Sequence, residues 1–345
     1  MLIKLSTINT YVRGKTEKMV TYTSEIRDIA TDIKSMKIRG AGKIARAAAK
    51  VLLLVSQHSK ARNIDSFIRE LDKTAELLLK TRPTAVSLPN GIKFIMKRVL
   101  EAKDSVRDVD EIRDIAGNVA REFIKSSEAA VKKIGEIGAK RIDASDVLLT
   151  HCNSQAAIAV IASAWDQGKK VKVFATETRP RLQGRKTARA LSRRGIPVTL
   201  IVDSAVRYFM NDVDKVIVGA DAVAANGAVV NKIGTSTIAL VAKEARTPLY
   251  VATETYKFDP ETSIGELVTI EERDSSEVAP KKGISDLKTV TVRNPAFDIT
   301  PPEYIDLIIT EKGIIPPQAA ISVIQQEFGW MLFEKVTRPR IIEEE

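Results

Sequence analysis

From Val147 onward the sequence settles into a pattern that restricts the fold more than any other feature. Short apolar runs rich in β-formers recur: VLLT (147–150), KVKVFAT (170–176), PVTLIV (197–202), KVIVGA (215–220) and PLYVAT (248–253). Helical patterns fill the intervals, at Gly184–Arg194, Ser204–Met210 and Thr235–Arg246. Strand, helix and strand in succession make βαβ units, and these build a parallel sheet covered by helices. An α/β domain is the expectation from residue 146 to the end. The tail VTVRNPAFDITPPEYIDLIITEKGIIPP reads as one further strand and a Pro-rich loop, and the final EEE as frayed.

Upstream there is only helical periodicity. Residues 1–20 show none and read as an arm. Ser24 reads as the cap of a helix with Ile26, Ile29, Ala30 and Ile33 on one face. KIRGAG (37–42) interrupts, and helices are expected over 43–57 and 65–80. TRPTAVSLPNG (81–91), with two prolines, reads as a loop. Helical pattern resumes to Leu100 and again over 109–141, with Ile112, Ile115, Val119 and Phe123 on one side. The expected organisation is a helical domain over 1–145 and an α/β domain over 146–345.

The 345 residues carry a net charge of +10. Residues 1–150 hold 29 Lys/Arg against 19 Asp/Glu, whereas the remainder holds 25 of each. A basic N-terminal part attracts polyanions. Aromatic residues are only 5 % and do not alternate with basic ones, so a small polyanion is expected rather than nucleic acid, with a generally solvated basic surface as the alternative. No apolar run reaches membrane-spanning length. A single cysteine excludes an intramolecular disulfide framework and fits a reducing cytoplasm. One cysteine and two histidines do not suggest a zinc cluster, and neither GxGxxG nor a P-loop is present.

The cysteine is Cys152, in THCNSQAAIAVIASAWDQG (150–168), between an apolar strand and a helix with Ala156, Ile158, Ala159, Ile161, Ala162 and Trp165 on its face. Ligands of open α/β sheets bind at carboxyl ends of strands. A helix N-terminus nearby favours the thiolate. Equally, a lone cysteine is a small buried hydrophobe. The other strand ends offer Glu177–Arg179, Asp203, Asp221 and Thr253–Lys257. A thiol and two carboxylates on one rim form a plausible acid/base set. Asp221 follows a buried strand, where desolvation raises a carboxyl pKa, or it braces a turn. Asp203 reads more strongly as a helix cap. Asn231 and Lys232 precede Gly234 and a helix, a setting suited to phosphate or sugar hydroxyls, or to a solvated lysine. Arg39, Gly40, Ala41 and Gly42 also precede a helix; the glycines admit a close ligand, though a plain turn looks the same. Arg82 is a second arginine of the basic half. A cleft between the domains is the expected site.

IRGAG (38–42), TRPTAVSLPN (81–90), THCNS (150–154), ETRPRLQG (177–184), GADAVAANGAVVNKIGT (219–235) and NPAFDITPPEYI (294–305) together carry a resemblance. In this order they resemble the superfamily of methylthioribose-1-phosphate isomerase and the regulatory subunits of the exchange factor for translation initiation factor 2. The likeness covers Ser24 to the tail, and is strongest to the archaeal branch acting on ribose 1,5-bisphosphate. It implies a helical N-terminal domain on a Rossmann-like domain. Cys152 is the implied proton acceptor and Asp221 the implied donor. Arg39, Gly40, Ala41, Gly42, Arg82, Ser154, Gln155, Ala156, Asn231 and Lys232 are implied substrate contacts, with Lys257 on a phosphate. The resemblance further implies no metal or cofactor, AMP as activator, and dimers assembled into hexamers. The implied reaction gives ribulose 1,5-bisphosphate, which feeds RuBisCO in nucleotide salvage. Residues 1–20 look longer than the usual start. The rival expectations are an isomerase of methylthioribose 1-phosphate, whose apolar 5-substituent fits Lys257 poorly, and a non-enzymatic exchange-factor subunit, which Cys152 and Asp221 argue against.

Overall fold

Most of the apolar runs become strands buried on both faces, as in parallel sheets, whereas the run at 197–202 forms an edge strand with Thr199 and Leu200 exposed. In the computed structural model, which describes residues 23–265, 268–279 and 289–337, every one of the five is a strand. The expected arm at 1–20 and the final EEE lie outside the described residues. The chain divides into two compact units, Met1–Pro83 with Leu88–Lys125, and Thr84–Ser87 with Ser126–Glu345.

The first unit is helical. It contains α1 (Ser24–Lys34), α2 (Ala41–His58), α3 (Ile64–Leu79), most of α4 (Ser87–Ala102) and the start of α5 (Val109–Ala139). Ile33, Leu52, Phe67, Leu78, Ile95 and Ile112 are fully buried. The cap of α1 is Thr23, not Ser24: the Thr23 hydroxyl oxygen accepts from the Ile26 N–H at 3.4 Å. The expected loop over 81–91 is shorter, because α4 starts at Ser87 and runs through Pro89 and Gly91. A proline in the first turn removes an N–H that has no intrahelical partner there anyway. Gly91 lies against Phe123, whose ring would be 3.0 Å from an added Cβ.

The second unit holds the sheet. Its strands are β1 (Val147–Thr150), β2 (Lys172–Thr176), β3 (Val198–Ile201), β4 (Lys215–Val218), β5 (Ala222–Val223), β6 (Val229–Lys232), β7 (Leu249–Ala252), β8 (Phe297–Thr300), β9 (Leu307–Thr310) and β10 (Gly313–Ile315). Seven form one sheet in the order β10-β9-β7-β4-β1-β2-β3, parallel except for β10. β5, β6 and β8 form a small antiparallel sheet. The tail therefore holds three strands and then α10 (Ala320–Thr337), rather than one strand and a loop. Pro301 and Pro302 end β8 by removing ladder donors, and LIIT starts afresh beyond them.

Helices α6 (Gln155–Asp166), α7 (Gly184–Ser192), α8 (Val206–Phe209) and α9 (Thr235–Ala245) fill the intervals. One core joins Leu148, Val160, Ile161 and Ile217 with Ile134 of α5; another joins Val216, Val251, Ile238 and Ile324. α5 lies close on α6 because Gly135 and Gly138 present no side chain. An added Cβ would stand 2.8 Å from the Ala159 carbonyl oxygen and 2.5 Å from Val160. No helix among the described residues is long and apolar enough to cross a membrane.

Candidate active site

In this sheet β2 and β3 lie to one side of β1 and β4 to the other. The strand order reverses between β1 and β4, the kind of place where a crevice opens above the carboxyl ends. Cys152 follows β1 and Asp221 follows β4, so the sequence-expected thiol and carboxylate flank that point. Negative charge on Asp221 raises the Cys152 thiol and supports the Lys232 ammonium electrostatically.

Cys152 has a left-handed backbone, φ 66°. That conformation costs a non-glycine residue about 1–3 kcal/mol and persists only where neighbours over-determine it. Here the Cys152 N–H donates to the Thr178 hydroxyl at 2.9 Å, and the Thr187 hydroxyl donates to the Cys152 carbonyl at 2.7 Å. Thr178 is held in turn. Its N–H and that of Arg179 donate to the two carboxylate oxygens of Asp203, at 2.8 and 2.7 Å. Asp203 thus braces the β2 loop and makes no side-chain cap on its own helical turn, contrary to the capping expectation.

The thiol is not held as thiolate in the ligand-free protein. Cys152 as a residue is half-buried, yet desolvation of its sulfur pushes the thiol up to about 11, with Asp221 adding to the rise; Lys232, the Asn153 N–H and last Arg273 pull the other way. Of the two expectations for this cysteine, the helix N-terminus and burial, burial governs the sulfur. The cap of α6 is Ser154, whose hydroxyl accepts from the Ala157 N–H at 3.2 Å. Gly219 lets Ser154 approach, because a Cβ there would sit 2.3 Å from the Ser154 hydroxyl. Gln155 is exposed and Ala156 buried.

His151 locks β1 to the far side of the site. Its Nε2 lies 2.9 Å from the Ile233 carbonyl, which can only accept, so Nε2 carries the hydrogen. Its Nδ1 then accepts from the Thr176 hydroxyl at 2.6 Å. Burial pushes the imidazole down to about 4, so the ring stays neutral at physiological pH. Gly234 follows with φ 101° and starts α9; a Cβ on it would lie 3.2 Å from the imidazole.

Lys232, only 3 % exposed, is the last residue of β6. Its ammonium donates to the Ala296 carbonyl and sits 4.6 Å from the Phe297 ring centroid. Burial, followed by Arg273, lowers its pKa. Neighbouring Asn231 is buried, its amide donating to Thr235 at 3.0 Å. Asp298 pairs with Asn231 across β6 and β8. One Asp298 oxygen accepts from the Gly234 and Ser236 N–H groups at 2.7 and 3.1 Å, while the other is buried without a hydrogen-bond partner. Burial raises this carboxyl to about 6 against those two donors. Lys257 is buried and committed internally, at 2.6 Å from Glu254 and 3.0 Å from the Ala220 carbonyl.

The remaining expected residues belong to the first unit. Gly40 starts α2 at φ 92° and offers no side-chain cap; Ala41 and Gly42 open the helix, with Arg39 just before it. Arg82 is buried. Thr178 lies in the expected strand end Glu177–Arg179, whereas His151, Arg273 and Asp298 were not among the expected site residues. His151 and Asp298 lie inside THCNS and NPAFDITPPEYI, so those motifs held the signal. Arg273 lies in an irregular stretch and has none. Among the described residues no cluster of His, Cys, Asp and Glu is arranged to hold a metal ion.

Residues 37–317 match the Initiation factor 2 subunit family. The chain is 54 % identical over 316 residues to ribose 1,5-bisphosphate isomerase of Thermococcus kodakarensis, covering 91 % of this chain and 98 % of that one. It is 54 % identical over 307 residues to the protein of the same name from Pyrococcus furiosus, covering 89 % and 95 %. Among solved structures, the translation initiation factor eIF-2B of Pyrococcus horikoshii is similar at TM-score 0.73 and 32 % identity, covering 87 % of this chain and 100 % of that one.

Proposed function

The chain belongs to the Initiation factor 2 subunit family, and from that premise we propose that it is an aldose–ketose isomerase converting ribose 1,5-bisphosphate into ribulose 1,5-bisphosphate. The observation that carries this reading is the trio at the ends of β1, β4 and β6. A thiol, a carboxylate and a buried ammonium stand at three strand ends there.

Asp221 donates a proton to the ring oxygen as the C1–O bond opens. Cys152 acts from its thiolate form, reached by release of the thiol proton to solvent, and removes the proton from carbon 2, giving an enol across carbons 1 and 2. The proton returns at carbon 1, and the 2-hydroxyl proton passes back to the Asp221 carboxylate as the ketone forms. Atoms and protons balance, and no redox partner is needed. Proton transfer by a positioned side chain supplies about 10²–10⁴ in rate. Lys232, Asn231, Lys257, Ser154, Gln155 and Ala156 hold the sugar on this side. Arg39, Gly40, Ala41, Gly42 and Arg82 supply further donors from the helical part, residues 1–145 in this reading, while 146–345 carry the chemistry. AMP as activator, dimers assembled into hexamers, and a cytoplasmic site of action follow from the same reading.

The test is an assay of purified protein on ribose 1,5-bisphosphate and, separately, on methylthioribose 1-phosphate, with the ketone product read by carbon NMR. Turnover of the bisphosphate at least tenfold more efficient is expected. Preference for the methylthio sugar, or no turnover of either, would overturn the reading.

A further inference from the structure

Two cations converge on one aromatic ring beside the thiol. Lys232 lies 4.6 Å and the Arg273 guanidinium carbon 5.7 Å from the centroid of Phe297. Backbone pairing fixes both. Lys232 is the partner of Phe297 across β6 and β8, and the Arg273 N–H donates to the Asn294 carbonyl at 2.9 Å, three residues before Phe297. The Arg273 side chain is 10 % exposed and meets Glu271 at 3.1 Å. Each cation acts on the other and on the Cys152 thiol. Glu271 answers one of the two positive charges. Glu277 also acts on Arg273, and Asp298 and Asp221 act on Lys232, so the two cations sit in a charged pocket of both signs. Two desolvated cations so placed repel each other, and a phosphate between them turns that repulsion into attraction. The planar guanidinium adds directed donors that the lysine lacks.

We propose that Arg273 is a further substrate-binding residue, which together with Lys232 holds a phosphate group of the sugar beside Cys152. The inference rests on the isomerase reading for the identity of the sugar, but the anion site itself can be probed without it. A purely structural role would instead make Arg273 the tether, through Glu271, of the stretch that precedes β8.

The experiment compares the parent with Arg273→Met, Arg273→Lys and Glu271→Gln. Arg273→Met should raise KM for ribose 1,5-bisphosphate about ten- to hundredfold, the scale of a lost charge-assisted bond, with melting temperature close to the parent's. Arg273→Lys should recover part of the loss. Glu271→Gln, which breaks the tether but keeps the cation, should leave KM within about threefold, well short of a lost charge-assisted bond. An unchanged KM in Arg273→Met, or a rise in Glu271→Gln as large as in Arg273→Met, would overturn the proposal. A second arm uses inorganic phosphate as the probe and iodoacetamide labelling of Cys152 as the readout. Phosphate should slow labelling of the parent, and Arg273→Met should need roughly tenfold more of it for the same effect. No protection of the parent at millimolar phosphate, or equal protection in both proteins, overturns the anion site. If the parent protein fails to isomerise the sugar while this second arm behaves as expected, the isomerase reading falls and the anion site stands.

Discussion

Cys152 is held by two hydroxyls in a backbone conformation that few cysteines adopt, and its thiol is pushed up to about 11 by burial. Two expectations follow for this residue. Below its pKa the thiolate fraction grows tenfold per pH unit, so iodoacetamide labelling of the ligand-free protein should still be climbing at pH 10. A plateau reached below pH 8 would show that burial does not govern the sulfur. Lys232→Met removes the cation that pulls the thiol down, so labelling at pH 9 should slow further. Cys152→Ser should fold, since size is kept, and lose at least about a hundredfold in turnover, the scale of a missing general base. Near-parent turnover would remove Cys152 from the chemistry. The chain order alone exposed Cys152 and Asp221, because each directly follows a run of apolar β-formers. It could not expose the sign of the thiol's shift. That depends on burial of the sulfur in the folded chain, and on Lys232 and Arg273, which are far from Cys152 in sequence.

The α9 N-terminus has no local capping side chain, and Asp298 from β8 supplies the carboxylate instead. Its folded pKa, about 6, is raised above the ordinary carboxylate value, so the folded state binds this proton more tightly than the unfolded chain. The stabilising contribution is therefore full below about pH 4 and is lost as pH rises through about 6. Asparagine does not ionise, so the melting temperature of Asp298→Asn relative to the parent should improve between pH 4 and pH 8. A difference that is flat or moves the other way would refute the raised pKa. Asp298→Ala loses the cap and should cost about 0.5–2 kcal/mol in chemical denaturation. The α5–α6 contact carries a second expectation. Gly138→Val puts methyl groups where a Cβ would already lie 2.5 Å from Val160, so it should destabilise by about 1–3 kcal/mol, as overpacking does. Elements were legible where burial made the sequence uniformly apolar, as in VLLT and KVIV. They were not legible where a strand is short and mixed. FDIT pairs with VVNK only because the chain returns there after more than sixty residues, and no local pattern announces that. The helix through Pro89 was hidden by a residue that signals loops almost everywhere except in a first turn.

At the scale of the molecule the α/β class, the helical first part and the rim of strand ends could be read from the chain, since each rests on periodicity and order. The second cation of the Phe297 pair could not, because Arg273 reaches the site by irregular backbone. Charge is the other property of the whole chain, and its consequence is measurable. The protein carries +10, and the excess lies entirely in residues 1–150. A sugar bisphosphate carries about −4 near neutral pH, and methylthioribose 1-phosphate about −2, because each phosphate monoester is close to a dianion. A positive field raises the local concentration of an anionic substrate in proportion to the exponential of its charge, and salt screens that field. On passing from roughly 0.02 to 0.5 M sodium chloride the Debye length shrinks from tens of ångströms to a few, so long-range attraction is removed while buried contacts persist. kcat/KM for the bisphosphate should therefore fall by about tenfold or more, with most of the loss in KM. Any turnover of the methylthio sugar should fall by roughly the square root of that factor, since half the charge is being attracted. Equal salt sensitivity for the two sugars would mean that the excess charge plays no part in drawing substrate. A steep loss in kcat with KM unchanged would locate the effect of salt in the chemistry rather than in capture.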